Sequence, residues 1–166
     1  MIGKLTLLLV AASQLVHGAF PLVDRATGKV EMAPYCPGRP ASPEFQRAAF
    51  TEFLHQFLEQ HLVNESLTNF VSDEYIQHNP AVLSGRQPSI DALSAGGPYD
   101  FSKGNVTIMH YLFDSPFGVV HYRVDFPGQE PTAITDIWRF NGTCIEEHWD
   151  VIQALPKNAT NPLALF

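Results

Sequence analysis

Cysteine is nearly absent from this 166-residue chain, which carries only Cys36 and Cys144. No thiolate cluster of the kind that builds a zinc site is available. Equally missing are a His-Glu-x-x-His helix and a Gly-x-Ser-x-Gly elbow, so the usual sequence forms of a zinc protease and a serine hydrolase are excluded. Basic residues are few and scattered, 10 Lys and Arg against 17 Asp and Glu, for a net charge of −7. A nucleic acid or an anionic membrane calls for clustered Lys and Arg, so neither is expected as a partner. No segment approaches the roughly 20 consecutive apolar residues that span a bilayer.

What is present begins with an export signature. Lys4 supplies a positive start, residues 7–16 are apolar apart from Ser13 and Gln14, and Val16 and Gly18 suit a cleavage site. Residues 1–18 are therefore predicted to be a signal peptide, and the protein to be secreted and extracellular. Its removal leaves 148 residues, the size of one domain. Four tripeptides, beginning at Asn64, Asn105, Asn141 and Asn158, match the N-glycosylation pattern and so belong at the surface. In an oxidising compartment Cys36 and Cys144 are expected to pair, two separate thiols being the alternative.

Residues 19–43 are rich in Pro and Gly without periodicity and predict an extended arm, followed by a folded domain over 44–156 and a loop-like tail over 157–166. Ser42 as cap, Pro43 at the first helical position and Glu44 in the first turn open a helix. Phe45, Ala49, Phe53 and Phe57 form one apolar row at a spacing of four residues, beside a second row of Phe50, Leu54, Leu58 and Leu62. A second helix is predicted over 64–73 and a third over 90–95, capped by Ser89. Between them Tyr75-Ile-Gln-His-Asn-Pro80 reads as extended chain stopped by proline. Alternating patterns over 105–113, 118–126, 131–140 and 143–152 predict four antiparallel strands. Helices first and a meander afterwards indicate an α+β fold.

Turn chemistry then places side chains. With Asn141-Gly142 as a two-residue hairpin turn and a four-residue loop over 127–130, Asp136 falls opposite both His121 and Glu147. One face is then expected to carry His121, Asp136, Trp138, Glu147 and Trp149, and His148 and Asp150 to lie on the other. Two acids and an imidazole within an aromatic wall suit general acid–base catalysis, and equally a buried structural network.

Asp136-Ile-Trp-Arg-Phe140 and Ile145-Glu-Glu-His-Trp-Asp-Val-Ile-Gln153 resemble the C-terminal signature of the SnoaL-like family. Tyr75-Ile-Gln-His-Asn-Pro80 is similar to its upstream motif and Asn161-Pro…Phe166 to its ending. The resemblance spans roughly residues 45–166. It implies a nuclear transport factor 2-like cone, three helices on a curved antiparallel sheet of four to five strands around a pocket, often dimeric. It further implies polyketide cyclase-like, aldol-type chemistry on a small carbonyl compound, with neither metal nor organic cofactor. On this reading Asp136 is the base, His121 its partner and Glu147 the neighbouring acid, while His78, Tyr75, Trp138 and Trp149 contact the substrate. The chain departs from the pattern at Cys144, where a lysine is common, and in the early turn glycine. A non-catalytic protein holding an apolar molecule is the competing expectation, and a metal enzyme a third.

Overall fold

The computed structural model describes residues 21–25 and 28–166. The predicted signal peptide lies outside the described residues, and among the described residues no helix is long and apolar enough to cross a membrane. The arm is not featureless. Strands β1 (Leu22–Asp24) and β2 (Lys29–Glu31) pair antiparallel as a small hairpin. The chain then runs across the domain and buries Tyr35 completely against Phe45 and Phe70.

Helix α1 (Pro43–Leu54) starts as expected, with the Ser42 hydroxyl accepting from the Phe45 N–H at 3.1 Å. The same hydroxyl donates to Asp24 at 2.6 Å and ties the arm to the helix. A π-helical turn, His55–Glu59, prolongs α1 and keeps Phe57 and Leu58 in the core. Helix α2 (Val63–Phe70) ends three residues earlier than predicted, because Val71–Gln77 continues directly as strand β3. Helix α3 (Arg86–Leu93) begins at Gly85, before the Ser89 cap expected from the sequence, and Ser89 is buried within it.

Strands β4 (Asn105–Asp114), β5 (Phe117–Asp125), β6 (Thr132–Asn141) and β7 (Cys144–Ala154) match the four predicted strands closely. The sheet order is β3-β7-β6-β5-β4, antiparallel except for the parallel β3–β7 edge. The helices cover one face of this curved sheet, giving an α+β cone. Phe50 rests directly on Gly118, where an added Cβ would lie 2.7 Å from the ring, so glycine sets how closely α1 approaches. Phe53 meets Trp138 edge to face at 4.8 Å. Each such aromatic burial stabilises by about 1.5–3 kcal/mol and fixes the helix layer over the sheet.

Two register details decide which residues face the helices, and both correct the expected pairing. The β5–β6 connection is one residue tighter than a four-residue loop. Gly128 takes a positive φ of 74°, Gln129 N–H closes onto Phe126 O, and Val124 pairs with Thr132. Val120 therefore opposes Asp136, and His121 opposes Thr135 on the outer face. At the other hairpin Asn141 pairs with Cys144 and Phe140 with Ile145, so the turn is Gly142-Thr143. Glu146 is then an extra residue: Arg139 pairs with Glu147, and this β-bulge turns every later residue of β7 over. His148, Asp150 and Ile152 come inside, while Glu147, Trp149 and Val151 go outside.

The turn owes its position to the arm. Thr143 N–H donates to Arg39 O, Arg39 N–H donates to the Thr143 hydroxyl, and that hydroxyl donates to Tyr35 O. Gly142, at φ 57°, admits the Arg39 backbone beside it. Cys36 and Cys144 form the disulfide that closes this corner, with Cα atoms 5.0 Å apart.

Candidate functional site

A cavity of about 510 Å³ opens between the helices and the inner sheet face. Much of its wall is apolar, with Phe57, Leu67, Leu93, Phe101, Phe126 and Ile134 among the lining residues. Its polar end is assembled from four strands. Tyr122 comes from β5, Asp136 and Trp138 from β6, and His148 and Asp150 from β7. Strand β3 and the residues just after it add Tyr75, Gln77 and Asn79. Alternation explains the last set: Tyr75, Gln77 and Asn79 point inward, and the intervening Ile76 and His78 point out.

Asp136 is only 3 % exposed and has a partner on each oxygen. Tyr122 donates its hydroxyl to Oδ2 at 3.0 Å. His148 Nε2 stands 3.3 Å from Oδ1, without the alignment of a hydrogen bond. The tautomer of His148 follows from its other side. Gln77 Oε1 accepts from the Asn79 N–H at 2.9 Å, which identifies it as oxygen, and it lies 2.9 Å from His148 Nδ1. Nδ1 must therefore carry a proton, leaving the lone pair of a neutral ring on Nε2, toward Asp136. The ring is clamped by Trp138, 4.1 Å away, and by the nearly parallel ring of Tyr75.

Asp150 accepts from the Asn79 side chain, whose own oxygen accepts from the Ala81 N–H. Burial, reinforced by the Asp136 charge, pushes the Tyr75 and Tyr122 phenols well above their usual range, so both stay protonated donors. Asp136, His148 and Asp150 each offer a ligand atom within 4.8 Å of the others, and these are the described residues that could hold a metal ion.

Of the residues singled out in the sequence, Asp136, Tyr75 and Trp138 meet in the cavity. His121 does not. The tighter β5–β6 turn sends it to the outer face, where it sits beside His110 with ring centroids 5.7 Å apart. Glu147 and Trp149 are outside as well, because of the bulge at Glu146. There Glu147 pairs with His78 Nε2 at 2.9 Å and Arg139 Nε at 2.7 Å, contacts that hold its carboxyl below the usual range. His78 stacks on Trp149 at 4.8 Å and 5°, so it buttresses the back of the site rather than lining it. The tighter β5–β6 turn and the bulge at Glu146 thus replace the expected His121 and Glu147 by His148 and Asp150. Gln77, Asn79 and Tyr122 had no signal of their own beyond strand alternation. All four acceptor asparagines, Asn64, Asn105, Asn141 and Asn158, are exposed.

No family model and no curated relative matches the sequence. Solved structures do match. A nuclear transport factor 2-like protein of unknown function from Burkholderia xenovorans superposes with a TM-score of 0.54 at 11% identity, over 69% of this chain and 88% of that one. TsrD from Streptomyces laurentii gives 0.51 at 17% identity, over 64% and 89%. A SnoaL-like polyketide cyclase from Agrobacterium tumefaciens gives 0.50 at 15% identity, over 65% and 91%. At such identities the likeness is one of fold: the chain has the nuclear transport factor 2-like fold.

Proposed function

We propose that this protein is a secreted enzyme that uses acid–base chemistry on a small carbonyl compound, with Asp136 as base and His148 as its proton partner. The observation that carries the reading is the pairing itself. A buried carboxylate and an imidazole with a free lone pair stand 3.3 Å apart at the polar end of an apolar cavity. In a poorly solvated site the ionised Asp136 takes a proton from the carbon next to the carbonyl, and an enolate forms. The enolate carbon then attacks a second carbonyl of the same molecule, or is reprotonated at another position. The Asp136–His148 pair returns the proton to the alkoxide or carbon. No group is gained or lost, so the chemistry is that of a cyclase or isomerase. The named activity of the SnoaL-like polyketide cyclase neighbour supports this class.

The test uses the compound that copurifies with the secreted protein, identified by native mass spectrometry. Asp136→Asn should lower its turnover by about 10²–10⁴-fold with little change in Tm. Undiminished turnover would sink the base assignment. A retained ligand that the wild type never converts would favour the non-catalytic pocket protein.

We also infer cleavage after Gly18, glycans on the exposed asparagines, and a homodimer joined through the outer sheet face. There Leu112, Phe117 and Val151 are exposed. Thr143 of the Asn141 tripeptide also serves the turn, so that acceptor carries the least weight. Intact mass before and after glycosidase, with sedimentation, checks all three. A monomer of unglycosylated, uncleaved mass in the medium would end them together.

A further inference from the structure

The cavity has a sign. Its charged or titratable lining consists of Asp136, His148 and Asp150 together with the phenols of Tyr75, Tyr99 and Tyr122, and among the described residues no Lys or Arg reaches it. Among the described residues that line it, His148 is the one basic side chain, and it sits beside Asp136. Asp150 has no ion-pair partner among the described residues. Its one hydrogen bond is the neutral amide of Asn79. Burial first, and then the two acids, keep the phenols of Tyr75 and Tyr122 protonated at the same end.

A second observation points to an occupant. His148 is only 5 % exposed, yet its Nε2 makes no hydrogen bond, and the cavity beside it has room for a fused-ring molecule. Aromatic faces from Tyr75, Trp138 and Tyr122 border the same end and attract cations through their ring quadrupoles. An anionic ligand would instead be desolvated beside the carboxyl groups of Asp136 and Asp150.

We propose that the cavity selects an apolar compound bearing a basic nitrogen, with Asp150 as the counter-ion of its ammonium group, and that it rejects carboxylates. This deepens the reading of the cavity as the substrate site, making the substrate an amine-bearing carbonyl compound. It concerns binding alone and does not need Asp136 to be a base.

Three probes of one shape test it by calorimetry at pH 7: 2-naphthylmethylamine, 2-naphthylmethanol and 2-naphthoate. The amine should bind about tenfold more tightly than the alcohol, the scale of one charge-assisted hydrogen bond after desolvation, and the carboxylate most weakly. Asp150→Asn keeps the shape and the Asn79 contact. It should bring amine and alcohol to within about threefold of each other, while Asp91→Asn on the outside of α3 should leave the ranking intact. Failure of the amine to bind, a carboxylate that binds as well as the alcohol, or an amine preference that survives in Asp150→Asn would each overturn the proposal. None of the three probes has an enolisable carbonyl, so their ranking tests binding alone, and a failure of the catalytic reading in the Asp136→Asn experiment leaves the proposal standing.

Discussion

Replacing Cys36 and Cys144 together by alanine isolates what the covalent clip adds to the arm. The two residues are 108 positions apart, so the disulfide closes most of the folded domain into a loop. Loop-closure entropy for a span of this length corresponds to about 4–5 kcal/mol at 25 °C, nearly all of it through restriction of the unfolded chain. The folded corner has other anchors. Thr143 exchanges hydrogen bonds with Arg39 and Tyr35, Gln46 donates to Gly142 O, and the Tyr35 side chain is wholly buried. The double variant should therefore keep its native near-UV circular dichroism while its stability falls. Urea unfolding followed by tryptophan fluorescence should show a loss of about 3–5 kcal/mol. Tm should drop by about 10 °C or more. The urea m-value should rise, because the unlinked unfolded chain exposes more surface. A loss below about 1 kcal/mol would refute the entropic account. Loss of the native signature without denaturant would refute the claim that the hydrogen bonds alone hold the corner.

Two further outcomes are expected. His78→Ala removes the stack on Trp149 and the pairing with Glu147 behind the site, both partly exposed, so stability should fall by no more than about 1 kcal/mol. The imidazole NMR signals of His148 should nevertheless shift, since Gln77 and Asn79 flank His78; unmoved signals would deny it a positioning role. Asp100 accepts from the Ser102 hydroxyl and the Gly96 and Ser102 N–H groups, which hold its carboxyl well below the usual range. Its stabilisation is therefore present above the unfolded value of about 3.9 and lost as pH falls through the lower folded value. Asp100→Asn should lower Tm at pH 7, by a margin that shrinks in strong acid; a constant margin would exclude the charge as the cause.

Periodicity carried the fold. Alternation over residues 105–152 located β4 to β7, and the Ser42-Pro43-Glu44 start located α1, because those patterns are set by local burial and capping. The inward set of β6, with Asp136 and Trp138, was also legible. Its neighbours were not, for two different reasons. The β5–β6 loop differs by one residue from the expected length, a choice that Gly128 permits and its neighbours' sequence does not announce. On β7 the hairpin turn moved by one position on each side without changing faces, and it was the added Glu146 that reversed them. The bonds that hold that turn come from Arg39 and Tyr35, about a hundred residues away in sequence, where no local pattern could register them. His78 was misplaced for a simpler reason: a strand that shows Tyr75 to the cavity must show the residue three further on to the other side.

The extra residue on β7 makes that strand a selector between two chemistries. Were the bulge ironed out so that Glu146 itself paired with Arg139, the downstream segment would slip by one residue and turn over. Glutamate and tryptophan would then face the hollow in place of histidine and aspartate. A scaffold whose reacting groups change places by a slip of one residue, with no change to any residue that acts, offers a short path between unrelated reactions on the same frame.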